Sequence, residues 1–386
     1  MMDDIYIDNF FEDSARTSIF IGENGSGKSR LLNKLAKRYL SSGHKVVAIV
    51  NSIHDQFTPR SSQFHFLGAR SGRNISKNTI KKAIENISNE NMVQLKNISQ
   101  ILSYVGYSSA IGIHVKGLNK LDRYILQESE NLSEEEMYDI ESLVSKYFNL
   151  GPRYGDYKDD ILWLEFDDFS FDKVNRSLFS RFIALESKLR RLGVLKSIDI
   201  FLRKNEQEIA LNRASSGELS FITSMIYLSS VVDDRTIVLI DEPENSLHPS
   251  WQKEYLGKIL DLFPYYQTNF VIATHSPLIV SGAENTDDSV TVYKSESGKF
   301  SRLDHKSNDL ESMLWSMFGV ITPESRYLSN YFVSALNDLG EDKTTIDEVL
   351  AKIESVENIS YSRKQIDTIS GVRDLALKIE FRKDKL

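Results

Sequence analysis

The stretch "SIFIGENGSGKSRLLNKLAKRYL", residues 18–40, constrains the fold more than any other part of the chain. A short run too brief for a helix leads into Gly22, four residues, Gly27, Lys28 and Ser29, and then into apolar residues at helical spacing. A strand that passes through a glycine-rich loop into a helix N-terminus makes a phosphate cradle. The glycines let backbone N–H groups approach the phosphates, and the helix end favours anions. Gly22, Asn24, Gly25, Ser26, Gly27, Lys28 and Ser29 are therefore the candidate nucleotide-binding residues. Lys28 has the reach for the β- and γ-phosphates of ATP, and the Ser29 hydroxyl is a ligand for Mg²⁺. The plain alternative is a glycine-rich turn, which the two flanking elements argue against.

A second stretch, "TIVLIDEPENSLHP" (236–249), ends an aliphatic strand in two adjacent carboxylates. A phosphate cradle needs an acidic partner at the C-terminal end of a nearby strand to hold the metal, and Asp241 has that position. Glu242, beside it, is the candidate general base that polarises the water attacking the γ-phosphate. Read alone, the pair is also compatible with an acidic cap on the following helix.

Two further signals follow the same logic. In "ASSGELSFITSMIYLSS" (214–230), Ser215 and Glu218 have capping-box spacing ahead of an apolar helix. Ordinary N-capping accounts for that spacing, and so does a helix N-terminus whose Ser216 and Gly217 offer N–H groups to a second phosphate. His275 in "VIATHSP" ends another short aliphatic run, where an imidazole can hydrogen-bond a γ-phosphate or simply serve the structure.

The runs at 18–21, 46–50, 236–240 and 269–273 read as buried strands. Residues 28–40 and 249–263 read as helices between them, which makes the joined strands parallel through βαβ crossovers. The fold class is α/β, with a mostly parallel core sheet, a helical insertion and a helical C-terminal region. The expected organisation is a first part of the core at 1–74, a charged helical lobe at 75–192, a second part of the core at 193–305, and a helical region at 306–386. Within the lobe, Ser133 and Glu136 have capping-box spacing. Residues 195–211 read as a hairpin.

Composition excludes several classes. There are no cysteines in the 386 residues, so disulfides, thiolate metal sites and cysteine nucleophiles are out. No apolar run reaches about 18 residues, and the first residues are acidic where a signal peptide is basic. A cytoplasmic protein with no membrane partner is the expectation. A net charge of −8 gives no overall attraction to nucleic acid. Local basic stretches at 70–82 and 181–204 are compatible with phosphate contact or with solvated helix faces.

The four motifs in this order resemble the ATP-binding-cassette ATPases of the SMC, RecF and OLD type. "GENGSGKS" stands as Walker A, "SSGE" as a shortened signature, "VLIDEPENSLHP" as Walker B running into a D-loop, and "THSP" as the switch histidine. The resemblance implies a homodimer, or a higher even oligomer, in which two heads sandwich two ATP molecules. Ser216 and Gly217 then act on the partner's ATP. The form "DEPENSLHP" looks more like the OLD-like ATPases of anti-phage defence and DNA repair than like transporter ATPases. Residues 283–386 contain no Asp-x-Asp pair for a metal-dependent nuclease of that type. The nearest resemblance is to the ATPase components of Septu and retron-linked defence systems, in which a separate HNH-type nuclease cuts nucleic acid. The competing expectation is a nucleic-acid-binding repair ATPase of RecF type. The helical stretch at 309–339, with Leu310, Met313, Leu314 and Met317 at helical spacing, is the expected core or docking edge for a partner.

Overall fold

A continuous aliphatic run has no side for water, so it is stable only as a strand covered on both faces. The computed structural model describes residues 16–52, 56–68, 74–86, 92–118, 133–150, 161–166, 173–264, 266–296, 299–303, 314, 326–357 and 363–383. In chain order the elements begin with β1 (Thr17–Ile21), α1 (Lys28–Ser41), β2 (Val46–Val50), β3 (Phe64–Leu67), α2 (Ile75–Asn86), α3 (Met92–Val105) and β4 (Ala110–Lys116). Next come α4 (Glu134–Leu150), β5 (Leu162–Glu165), α5 (Lys173–Arg191), β6 (Ser197–Lys204), β7 (Gln207–Ala210), α6 (Ser216–Val231) and β8 (Ile237–Asp241). The remaining described elements are α7 (Pro249–Leu262), β9 (Asn269–Thr274), α8 (Pro277–Thr286), β10 (Thr291–Glu296), β11 (Lys299–Arg302), α9 (Arg326–Gly340), α10 (Ile346–Glu357) and α11 (Arg363–Lys383). The chain is an α/β protein with mostly parallel core strands, as the aliphatic runs predict. It forms two compact units, one of residues 29–251 and 257–273, the other of residues 1–28, 252–256 and 274–386.

In the larger unit, β3, β2, β8 and β9 lie side by side and parallel. Val50 faces Asp241 on one side, and Asp241 faces Ala273 on the other. Every residue of β2 and β8 is buried. This register places the carboxylate pair at the C-terminal edge, where backbone leaves the ladder and side chains can converge on a ligand.

A second sheet, antiparallel in the order β5-β4-β6-β7, belongs to the same unit. The reading of residues 75–192 as helical holds for α2 to α5 but misses β4 and β5. Ile111, Ile113 and Val115 alternate along β4 and meet Ile198, Ile200 and Leu202 of β6, all within the core. The period-two signal was present, but Gly112 breaks its texture. A Cβ there would come within 2.5 Å of Ile161 Cγ2, so any larger residue would have to displace that side chain. The hairpin expected at 195–211 forms as β6–β7, turning at Asn205 and Glu206 with φ of 50° and 60°.

Six of the ten described basic residues in the two basic stretches pair with carboxylates of this unit. Lys77 and Lys116 both reach Asp199, at 2.8 and 2.6 Å. Lys81 pairs with Glu186, Arg181 with Asp139, Lys188 with Glu136, Arg203 with Glu165 and Lys204 with Glu218. Such pairs add little stability each, but they neutralise the charge that phosphate contact would use. Arg70 and Arg73 lie outside the described residues.

In the smaller unit β1 runs parallel to β10, which pairs antiparallel with β11. Phe20 stacks on Tyr293 at 4.9 Å and meets the edge of Phe300 at 5.4 Å. Helices α9 to α11 bury a core of their own, with Phe332, Leu339, Val349, Ile353, Val356, Ile369 and Ala376. Val333, Ile366, Leu375, Leu377 and Phe381 stay exposed on them. Of the predicted docking stretch, Leu310, Met313 and Met317 lie outside the described residues. No helix among the described residues is long and apolar enough to cross a membrane.

Candidate nucleotide site

The glycine-rich loop lies between a strand and a helix, the two flanking elements its sequence predicts. β1 ends at Ile21, the chain turns through residues 22–27, and α1 starts at Lys28 itself. Gly25 and Gly27 stand at φ of 82° and 94°, the left-handed region that side chains resist. Lys28 is buried, and its ammonium donates to Gly22 O at 2.9 Å and Glu23 O at 3.1 Å. Among the described residues Ser26 Oγ is buried with no hydrogen-bond partner, a polar atom that a phosphate oxygen would satisfy.

The same ammonium lies 3.4 Å from His275 Nδ1. A lysine ammonium has only donors, so Nδ1 accepts and the ring proton sits on Nε2. In that arrangement His275 has Nε2–H as the donor to offer a ligand. Its backbone is fixed on both sides. Ser276 N donates to Thr274 Oγ1 at 2.9 Å, and Ser276 Oγ caps α8 by accepting from Leu278 N and Ile279 N. The Ser276 hydroxyl donates to Gln252 Oε1 at 2.6 Å, and Pro277 starts the helix. The structure thus joins Lys28 and His275, 247 positions apart in the chain.

The carboxylate pair lies in the larger unit. Asp241 is only 1% exposed at the end of β8. Asn51 N donates to its carbonyl at 3.2 Å from the end of β2. Glu242 N donates to Ala273 O at 2.9 Å, and Asn245 Nδ2 donates to Glu242 Oε2 at 2.8 Å. Glu242 has φ of 51° although it precedes Pro243, a conformation costing on the order of 1–3 kcal/mol. Asn51 and Asn245 escaped the sequence reading. The Asn245 signal was its place three residues after an acid in a turn-rich stretch. His248 is a helix cap, with Nδ1 accepting from Ser250 N.

The signature corresponds to the N-terminus of α6. Ser215 and Ser216 are exposed. Gly217 is instead buried, and a Cβ there would lie 2.1 Å from Ser246 O. Its lack of a side chain therefore also serves packing against the loop after Walker B. Ser215 does not cap the helix with its side chain. Glu218 does accept from Ser215 N, but Tyr107 Oη also donates to its Oε2 at 2.5 Å and Lys204 Nζ to its Oε1 at 2.7 Å. Burial pushes the Glu218 carboxyl up, but the Lys204 and Tyr107 bonds outweigh it and hold it below the ordinary range. Burial, with Glu218 beside it, raises the Tyr107 hydroxyl.

The donor set suits MgATP. Among the described residues no group of three or more His, Cys, Asp or Glu side chains could hold a metal by itself. Magnesium carried by phosphates needs no such cage, because one hydroxyl and one carboxylate complete it. Ser29, on α1, and Asp241 are the groups of the right chemistry.

Residues 119–281 match the family model described as "AAA domain, putative AbiEii toxin, Type IV TA system". Protein ea59 of Escherichia phage lambda is 24% identical over 297 residues, 69% of this chain and 46% of that protein. The Retron Vc95 probable ATPase of Vibrio cholerae serotype O1 biovar El Tor is 30% identical over 122 residues, 29% of this chain and 23% of that protein. The Retron Ec83 probable ATPase of Escherichia coli is 28% identical over 113 residues, 26% of this chain and 20% of that protein. The chain thus spans less than half the length of these relatives. An SMC head solved with the C-terminal winged-helix domain of ScpA covers 75% of this chain and 89% of its own at 12% identity. Its TM-score is 0.35.

Proposed function

We propose that this chain, an ABC-type AAA ATPase, binds ATP with Mg²⁺ between two copies of itself and uses its hydrolysis to control a separate HNH-type nuclease in anti-phage defence. The observation that carries the nucleotide part is the Lys28 ammonium, held by two carbonyls of the cradle and by His275. A cation so placed is preorganised for the β- and γ-phosphates and costs little to redirect. The defence part draws support from the retron ATPases among the relatives.

Ser29 and Asp241 would hold Mg²⁺, which when bound neutralises phosphate charge. Lys28 exchanges its carbonyls for phosphate oxygens. The neutral His275 donates from Nε2 to a γ-phosphate oxygen. Glu242 accepts a proton from the attacking water as that water adds to the γ-phosphorus, while the bond from that phosphorus to the β–γ bridging oxygen breaks and its electron pair leaves with ADP. Ser216 and Gly217 serve the nucleotide of the partner copy, with Gly217 contributing backbone alone. The helices at 326–383, with apolar side chains exposed around a core of their own, are the proposed docking region for the nuclease. The repair-ATPase reading is weakened because six of the ten described basic residues in the two basic stretches, Lys77, Lys81, Arg181, Lys188, Arg203 and Lys204, pair with carboxylates of the same unit.

Purified protein with ATP and Mg²⁺ should hydrolyse ATP while leaving DNA and RNA intact. Glu242→Gln should keep ATP affinity and lose about 10²- to 10⁴-fold in turnover, whereas Lys28→Ala should weaken binding itself. Near-normal turnover by Glu242→Gln would sink the assignment of the base. Nucleic-acid cleavage by the isolated chain, lost in a site variant, would sink the separate nuclease.

A further inference from the structure

Asn245 clasps Glu242 twice. Its backbone N–H donates to Glu242 O at 3.2 Å, and its side-chain Nδ2 donates to Glu242 Oε2 at 2.8 Å. The first bond closes a turn and is open to any residue but proline. The second needs a neutral N–H donor on a short side chain, which asparagine supplies.

The rest of the loop is anchored through its backbone. Ala273 O holds Glu242 N at 2.9 Å, and Asn51 bonds the carbonyls of Asp241 and Pro243 at 3.2 and 3.5 Å. Ser246, at φ of 67°, sets its carbonyl against the Cα of Gly217. These contacts determine the path of the chain. They do not choose among the rotamers of a glutamate, whose carboxylate swings on two methylenes. A hydrogen bond to one carboxylate oxygen, strengthened by the charge, does choose.

We propose that Asn245 is a positioning residue for ATP hydrolysis, its Nδ2–H fixing the Glu242 carboxylate in the rotamer that meets the attacking water. This rests on the reading of Glu242 as the group that takes the water's proton. Asn245 touches neither nucleotide nor water in this scheme. It acts through Glu242, so its loss should slow the chemical step and leave nucleotide binding alone.

Asn245→Asp tests this, because it keeps the shape and the backbone turn while replacing the donor by a second carboxylate. Turnover should fall by about 10- to 100-fold, with the KM for ATP, the affinity for a fluorescent ATP analogue and the Tm essentially unchanged. Asn245→Ala, which removes the donor without adding charge, should fall less but in the same step. In single-turnover assays, adding Asn245→Asp to Glu242→Gln should cost nothing further, since the group it orients is already disabled. Normal turnover by Asn245→Asp and Asn245→Ala, with Glu242→Gln slow, would overturn the positioning role and leave the base in place. Losses that multiply in the double variant, or a raised KM with turnover unchanged, would also overturn it. A Glu242→Gln variant that turns over normally would remove both ideas together.

Discussion

The chain writes the same local pattern, a hydroxyl residue followed three positions later by Glu, at 133–136, 215–218 and 345–348, and folds it in two ways. At the start of α4, Ser133 N donates to Glu136 Oε2 and Glu136 N donates to Ser133 Oγ, so the box closes in both directions. Thr345 and Glu348 do the same at α10. At α6 only the glutamate half is made. Glu218 accepts from Ser215 N while binding Tyr107 and Lys204, and the Ser215 hydroxyl is left off the helix. Two boxes use their hydroxyl on the first turn, and in the third the exposed Ser215 makes no side-chain bond to the helix. An N-terminus left uncapped in this way is what an anion needs. The difference lies in what surrounds each glutamate. Glu136 and Glu348 are exposed, whereas Glu218 is 18% exposed and enclosed by α6, β6 and the end of α3.

The strongest way to break the comparison is to block the open N-terminus. Ser216→Arg should abolish ATP hydrolysis without lowering the Tm, since Ser216 is exposed. Mixing it with Lys28→Ala should restore part of the activity, because one mixed pair has an intact cradle facing an intact signature. No recovery in demonstrated mixed dimers would count against a shared site.

Glu218→Ala should come next. It leaves Lys204 and the Tyr107 hydroxyl without their acceptor, and should cost about 1–3 kcal/mol of stability. The ATPase rate should fall with it, as α6 loses its anchor to the lobe. A variant with unchanged melting would show the network to be incidental.

Ser133→Ala and Ser215→Ala form the sharpest pair. The first removes a working cap and should cost about 1 kcal/mol with no change in ATPase rate. The second removes a hydroxyl that caps nothing, so stability should hold while hydrolysis slows. Equal loss of stability in both would erase the distinction between the boxes.

The smallest effect concerns pH. The Glu218 carboxyl is held below its ordinary value of 4.5, so its contribution is fully present above that pH and fades as pH falls through the lower folded value. Below about pH 4.5 the Tm of the native protein should therefore drop towards that of Glu218→Gln. Parallel curves at every pH would show that the bonds to Lys204 and Tyr107 do not govern its ionisation.

Sequence alone determined the elements whose cause is local. The cradle from Ile21 to Ser29, the buried β2 and β8, the carboxylates at the end of β8, and the box at 133–136 are set by residues within one or two turns of each other. Hydrophobic period, glycine conformation and cap chemistry act over that distance, so they can be read without coordinates. Tertiary structure decided whatever depends on distant partners. Tyr107 lies 111 positions from Glu218, and Lys28 lies 247 from His275. Gly217 reads as a flexible phosphate contact until the Ser246 carbonyl is found against its Cα. Strand β4 carries a local period-two pattern, but its place in a buried sheet is decided by β6, which supplies the apolar residues that Ile111 and Ile113 meet. Burial and hydrogen bonding at such positions are properties of pairs that the fold brings together, and no local window contains both members.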